Sequence, residues 1–139
     1  MPITAERYHD ISCGHRVHGH ESKCANLHGH NYRIHFEVDS PELDAVGRVL
    51  DFSVIKSHLC MWLEDNWDHK FLVWAEDPMH SYLKDIDNEV VVVPFNPTAE
   101  NMAKYLVEVV APYQLTGTGA RLIRCTIEET RKCSASYKV

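Results

Sequence analysis

Long apolar runs are missing from this 139-residue chain; its apolar stretches are short, such as residues 90–93. A membrane-spanning helix, which needs about 20 apolar residues, is therefore not expected. Residues 1–7, Met-Pro-Ile-Thr-Ala-Glu-Arg, lack the apolar core of a signal peptide, so the expected location is cytoplasmic. Positive charge is also short: 14 Lys and Arg against 20 Asp and Glu give a net charge of −6. That balance argues against nucleic acid or an acidic membrane as the partner of the chain as a whole. There is no Gly/Ser linker and no tract of like charge, so residues 1–139 read as one domain. The five cysteines, 13, 24, 60, 125 and 133, are an odd number. They are expected as free thiols, because a chain this long buries a core without disulfide staples.

Histidine, by contrast, is abundant. The chain has ten, and six of them, at 15, 18, 20, 28, 30 and 35, fall close together. Histidine is the commonest metal ligand and the usual acid–base group near neutral pH. Two tetrapeptides echo each other in this region, His18-Gly19-His20-Glu21 and His28-Gly29-His30-Asn31.

The pattern around them is that of strands. Residues 3–13 suit a strand that puts His9, Ile11, Cys13 and His15 on one side. Residues 28–38 alternate, with His28, His30, Tyr32, Ile34, Phe36 and Val38 on one face and Gly29, Asn31, Arg33, His35 and Glu37 on the other. Ser40-Pro41 ends this strand. A helix follows from about residue 51 to Asn66, capped by Asp51 or Ser53, with Val54, Ile55, His58, Leu59, Trp62 and Leu63 as its stripe. Asn96-Pro97-Thr98 signals a second helix, with Asn96 as cap and Pro97 at the first helical position. Its buried stripe is Met102, Tyr105, Leu106, Val109 and Val110, and Pro112 is expected to stop it. Residues 121–129 and 133–139 read as two more strands, and residues 74–94 as an insertion ending in a short apolar strand. The order β-β-α-(β)-α-β-β predicts an α+β fold, a four-stranded antiparallel sheet with two helices on one face. The other face stays uncovered, which predicts a homo-oligomer.

Chemistry concentrates near the histidines. His28 and His30, two apart on a strand, point the same way about 6–7 Å apart along the chain, within reach of one ion at Zn–N bonds of about 2.0–2.1 Å. Gly29 between them lets another backbone come close. His15 ends the preceding strand on a consistent face and would supply a third ligand. Three His with an open position is the pattern of a catalytic zinc site. His18 and His20 compete for this role from a less ordered loop. Cys24 lies four residues before His28; as a thiolate it is a base, nucleophile or ligand, and Lys23 beside it would lower its pKa. Asp68-His69 after the first helix pairs an acid with an imidazole it can orient. Glu129 shares a strand face with Ile123, Cys125 and Ile127, and Glu128 shares the other with Leu122, Arg124 and Thr126. A carboxylate on an apolar face needs a strong donor, from the protein or from a ligand. Residues 11–36 carry Arg16, Lys23 and Arg33 against only Glu21, a local balance that suits a phosphorylated ligand.

The pieces together resemble one family. Gly14-His15-Arg16-Val17, Lys23-Cys24-Ala25-Asn26-Leu27-His28-Gly29-His30-Asn31-Tyr32, Gly47-Arg48-Val49-Leu50-Asp51-Phe52, Asp68-His69, Asn96-Pro97-Thr98-Ala99-Glu100-Asn101, Glu129-Thr130 and Tyr137 resemble the 6-pyruvoyl-tetrahydropterin synthase / 6-carboxytetrahydropterin synthase family from end to end. The resemblance implies a tunnelling fold whose sheets join in trimers that stack in pairs, a homohexamer with active sites at subunit boundaries. It implies 7,8-dihydroneopterin triphosphate as substrate and Zn²⁺ held by His15, His28 and His30. Cys24 then matches the catalytic thiol, Asp68 and His69 its partner pair, Glu129 the anchor of the pterin, and Thr98 a residue of the pterin pocket. Three residues between Cys24 and His28 look like the bacterial carboxytetrahydropterin synthases of the queuosine pathway; the animal-type pyruvoyl enzymes have a longer spacing, and a folate-feeding branch has Glu in place of Cys24. Two departures stand out. The family's Asp-His-x-x-Leu-Asn is here Asp68-His69-Lys70-Phe71-Leu72-Val73, without the Asn, and the insertion 74–94 is longer than in short members.

Overall fold

A computed structural model describes residues 3–139. Strands β1 (Ala5–His15) and β2 (His28–Asp39) form a long antiparallel hairpin, in register from Ala5 opposite Val38 to His15 opposite His28. Strand β5 (Arg121–Glu128) pairs antiparallel with β2, and β6 (Ser134–Lys138) with β5. These four are the expected antiparallel sheet. The sheet is larger, however. Strands β3 (Phe71–Trp74) and β4 (Val91–Val93) extend it beyond β1 in parallel, giving a mixed six-stranded order β4-β3-β1-β2-β5-β6. A crossover helix, α2 (His80–Ile86), separates β3 from β4, and a helical crossover returns a chain in its original direction. The insertion is thus part of the sheet.

Two longer helices cover one face. Helix α1 runs through Phe52–Ile55, a π-type turn Lys56–Cys60, and Met61–Asn66. Asp51 caps it by accepting the Ser53 N–H. Helix α3 runs through Ala99–Tyr105, a π-type turn Leu106–Val110, and Ala111–Gln114. Ile55, Leu59, Leu63, Met102 and Leu106 are buried against Tyr32, Ile34 and Phe36, each side chain worth about 1.5–3 kcal/mol when fully buried. The opposite sheet face carries Asn31, Arg33, His35 and Glu37. No helix among the described residues is long and apolar enough to cross a membrane.

Four expectations need correction in detail. Thr98, not Asn96, caps α3: its Oγ1 accepts the Asn101 N–H at 3.1 Å. Asn96 instead accepts the Asn101 Nδ2 donor with its carbonyl. Pro112 does not end α3, because the π-type turn before it has already shifted the ladder, the Ala111 N–H donating to Leu106. The same turn buries Val107 and leaves Val109 exposed. Finally, Glu37 faces Arg124 and Val38 faces Leu122, so Ile123 is a bulge. Leu122 therefore joins Cys125 and Ile127 in the core.

Candidate metal centre and active site

The hairpin brings three histidines together by pairing alone. His15 sits directly opposite His28, and His30 opposite Cys13, so all three rings continue the core face of Ile11, Tyr32 and Ile34 at one end of the hairpin. The strands approach closely there. Gly14 faces Gly29, and a Cβ on Gly29 would stand 3.1 Å from the Cys13 carbonyl oxygen, the close contact expected of that glycine.

The ring nitrogens converge. His15 Nδ1 donates to the Pro97 carbonyl at 2.6 Å, and His28 Nδ1 to the Asn26 carbonyl at 2.7 Å. A carbonyl only accepts, so both protons are on Nδ1 and both Nε2 atoms present lone pairs. Those two Nε2 atoms lie 3.0 Å apart. Glu129 Oε1 lies 3.3 Å from His15 Nε2 and 3.1 Å from His30 Nε2. His30 Nε2 is buried and forms no hydrogen bond of proper geometry. One ligand atom from each of His15, His28, His30 and Glu129 lies within 4.8 Å of all the others. A cluster of acceptors this tight asks for a cation. Tetrahedral Zn²⁺ with bonds of about 2.0–2.1 Å separates its ligands by roughly 3.3 Å, close to these spacings. The residues present fit a zinc-like ion.

The electrostatics agree. Where the His15 ring is protonated, its hydrogen bond outweighs partial burial and holds the Glu129 carboxyl below the usual carboxylate range, with charge on the other rings adding to it, so this carboxylate favours positive charge in the cluster. Burial pushes His30 toward its neutral form, the form that ligates a metal. Glu129 lies just beyond β5 on the Cys125/Ile127 side, as expected, and is turned into the histidine cluster.

A groove of about 800 Å³ opens beside the cluster, its lining including His30, Glu129, Asp68, His69 and Arg33. Asp68 Oδ1 accepts the Ser12 N–H at 2.9 Å, and Oδ2 is 2.9 Å from His69 Nδ1. Burial raises the Asp68 carboxyl, but the Ser12 and His69 hydrogen bonds outweigh it and leave it below its ordinary value. His69 has φ +59°, in the left-handed region, while its N–H donates to the Ser12 carbonyl at 2.6 Å. A non-glycine residue held there costs about 1–3 kcal/mol, and such strain gathers at functional sites. The His69 side chain is 80% exposed, free to meet a ligand. The acid–imidazole pair expected from the sequence is therefore formed, on the same groove as His30 and Glu129.

Cys24 lies half-buried in a short turn, Lys23–Ala25, and is not among the four groups that converge. Burial, and then the Glu129 charge, raise the Tyr32 hydroxyl far above its usual pKa. Thr98 has its hydroxyl oxygen engaged as the helix cap. His18 and His20 stay out of the metal cluster; the His18 backbone is clamped by Asn96, and His20 Nδ1 accepts the Ser22 N–H.

Two members of the site escaped the sequence reading. Tyr32 places its hydroxyl 3.2 Å from His15 Nδ1; its position on the histidine face of β2 was the available signal. Pro97, read as a helix starter, supplies the carbonyl that fixes the His15 tautomer.

The 6-pyruvoyl tetrahydropterin synthase family model matches residues 4–139. The chain belongs to that family. Among curated members, it is 30% identical over 133 residues to the 6-carboxy-5,6,7,8-tetrahydropterin synthase of Rickettsia felis, covering 94% of this chain and 96% of that one. The enzyme of the same name from Aquifex aeolicus is 32% identical over 126 residues, 84% of this chain and 76% of its own. Among solved structures, the 6-pyruvoyl tetrahydropterin synthase of Caenorhabditis elegans superposes with a TM-score of 0.70 at 27% identity, over 99% of this chain and 95% of that one. An uncharacterised Wolinella succinogenes protein shares the fold with a TM-score of 0.84 at 22% identity, over 98% and 97%. The chain is a 6-carboxytetrahydropterin synthase-like enzyme of this family.

Proposed function

We propose that the chain is a zinc-dependent lyase that converts 7,8-dihydroneopterin triphosphate and water to 6-carboxy-5,6,7,8-tetrahydropterin, triphosphate and acetaldehyde, a step toward the 7-deazaguanine queuosine. The observation that carries this reading is the convergence of His15, His28 and His30 beside the groove that also holds Asp68 and His69. The names of the Rickettsia and Aquifex relatives support the carboxy product.

When bound by His15, His28 and His30, zinc would supply Lewis-acid polarisation of substrate side-chain oxygens and so acidify the neighbouring C–H. The protein's own groups then divide the work. Cys24, as thiolate, takes a side-chain proton. His69, oriented through Nδ1 by Asp68, moves a second proton at its exposed Nε2. Glu129 accepts the two parallel N–H donors of the pterin's 2-amino and N3 edge, a task for which a carboxylate has two oxygens. Thr98 keeps its hydroxyl proton for donation while its oxygen caps α3. We assign a homohexamer, a dimer of trimers, as the working state. The outer strands β4 and β6 each pair on one side only among the described residues, and such edges favour pairing with another copy.

The test is mass spectrometry of the products from purified protein and 7,8-dihydroneopterin triphosphate, with and without a trap for acetaldehyde. Carboxytetrahydropterin plus trapped acetaldehyde is expected. Triphosphate release with the three-carbon side chain still on the pterin would overturn the carboxy assignment in favour of pyruvoyl chemistry. No turnover would reduce the chain to a metal- or pterin-binding protein.

A further inference from the structure

A buried ion pair joins the inserted segment to the loop that carries Cys24. Asp77, between β3 and α2, is fully buried, and Arg16 Nη1 donates to its Oδ1 at 2.6 Å. The same guanidinium donates through Nε to the Ala25 carbonyl at 3.0 Å. Ala25 follows Cys24 in the Lys23–Ala25 turn, and the Cys24 carbonyl itself accepts the Val17 N–H at 2.9 Å. Arg16 and Val17 thus grip two successive carbonyls, that of the thiol-bearing residue and that of the residue after it.

Asp77 is itself immobilised. Its N–H donates to Trp74, its Oδ1 also accepts the Met79 N–H at 2.9 Å, and its carbonyl accepts both the His80 N–H and His80 Nδ1. The turn it controls is otherwise held by local bonds, Ala25 N–H to Ser22 and Asn26 N–H to Lys23. A buried charge pair is weak evidence for stability, since apolar replacements of such pairs often cost nothing. Two donors of one rigid guanidinium aimed at different acceptors, by contrast, fix a direction.

We propose that Asp77 is a positioning residue: acting through Arg16, it fixes the Lys23–Ala25 turn and so places the Cys24 thiol relative to His15 and His28. The inference rests on the reading of Cys24 as the thiol of the site. It gives the insertion a task in the chemistry, with Asp77 as its agent.

The decisive variant is Arg16→Lys. Its ammonium keeps the charge that pairs with Asp77 but lacks the fork that also reaches Ala25. In purified, metal-loaded protein, iodoacetamide labelling of Cys24 is read by peptide mass spectrometry against the exposed Cys133 as internal reference. We expect the Cys24-to-Cys133 labelling ratio to change at least threefold and kcat to fall at least tenfold, with bound metal unchanged; a displacement of about 1 Å can cost a hundredfold. Asp77→Asn should do the same. If that variant fails to fold, Arg16→Lys alone decides. A lowered melting temperature with wild-type labelling ratio and kcat would make the pair merely structural and overturn the proposal. A changed ratio with unchanged kcat would uphold the positioning and overturn instead the catalytic role of Cys24.

Discussion

Removing one imidazole from the cluster should abolish a thermal stabilisation that metal confers. In metal-free protein, the Nε2 lone pairs of His15 and His28 face each other at 3.0 Å, with the Glu129 carboxylate beside them. A cation relieves that crowding only in the folded state, because the unfolded chain does not assemble the site. Zinc at one hundred times its Kd stabilises the folded form by about 2.7 kcal/mol. Unfolding entropy of about 2.1 cal/mol/K per residue over 139 residues makes this a rise of roughly 9 °C in Tm. Protein stripped with a chelator and titrated with zinc in a thermal melt should show it. His28→Ala removes a half-buried ring and one crowded lone pair, so the metal-free Tm should move by no more than about 2 °C, the effect of a typical surface substitution. The zinc-dependent rise should vanish at the same zinc concentration, and bound zinc should fall with it. His18→Ala and His20→Ala should keep both. A full rise in His28→Ala, or its loss in His18→Ala, would refute the assignment of the ligands.

Glu129→Gln should raise KM for the pterin at least tenfold, because an amide presents an NH₂ to one of two donors, whereas Glu128→Gln, whose carboxylate is tied to His35, should leave KM within about twofold; steady-state kinetics of both variants decide. Asp68 is held below its ordinary pKa, so its contribution to stability is present above about pH 4, the unfolded value, and is lost as pH falls through the lower folded value. The Tm difference between wild type and Asp68→Asn should therefore be flat from pH 5 to 8 and shrink only in acid; shrinkage near pH 6 would contradict the pairing. Cys13 is buried and its pKa is pushed up to about 12, mainly by burial and then by the Asp68 charge, leaving roughly one thiolate in 10⁴ at pH 8. Iodoacetamide at that pH should label Cys133 in native protein and reach Cys13, Cys60 and Cys125 only after denaturation, as peptide mapping would show.

What could be read from the sequence was whatever depends on spacing within one strand. The period of two put His28 and His30 on the face of Tyr32 and Ile34, and a short connection was enough to pair His15 with them. Glu129 kept its strand phase because the bulge at Ile123 lies upstream, and the alternation from Cys125 onward is regular. Contacts between distant segments were not legible. The Pro97 carbonyl that sets the His15 tautomer comes from 82 residues away, and a backbone acceptor leaves no mark on residue type. The π-type turns were hidden for a related reason. The one in α3 exchanges Val109 for Val107 in the core, and a 3.6-residue stripe accommodates either.

The two departures from the family pattern have one cause in the structure. Val73, where the family has Asn, is fully buried in a small second cluster with Leu83 of α2 and Val90 before β4, and Phe71 packs against it. An amide there would face apolar side chains and lose hydrogen bonds worth about 1–3 kcal/mol. An apolar side chain such as valine suits β3 where Leu83 of α2 packs against it. The inserted segment also supplies Asp77, a charged group that reaches the Cys24 turn through Arg16. The segment that buries Val73 brings a carboxylate of its own, four residues further along the chain, and directs it at the loop between β1 and β2.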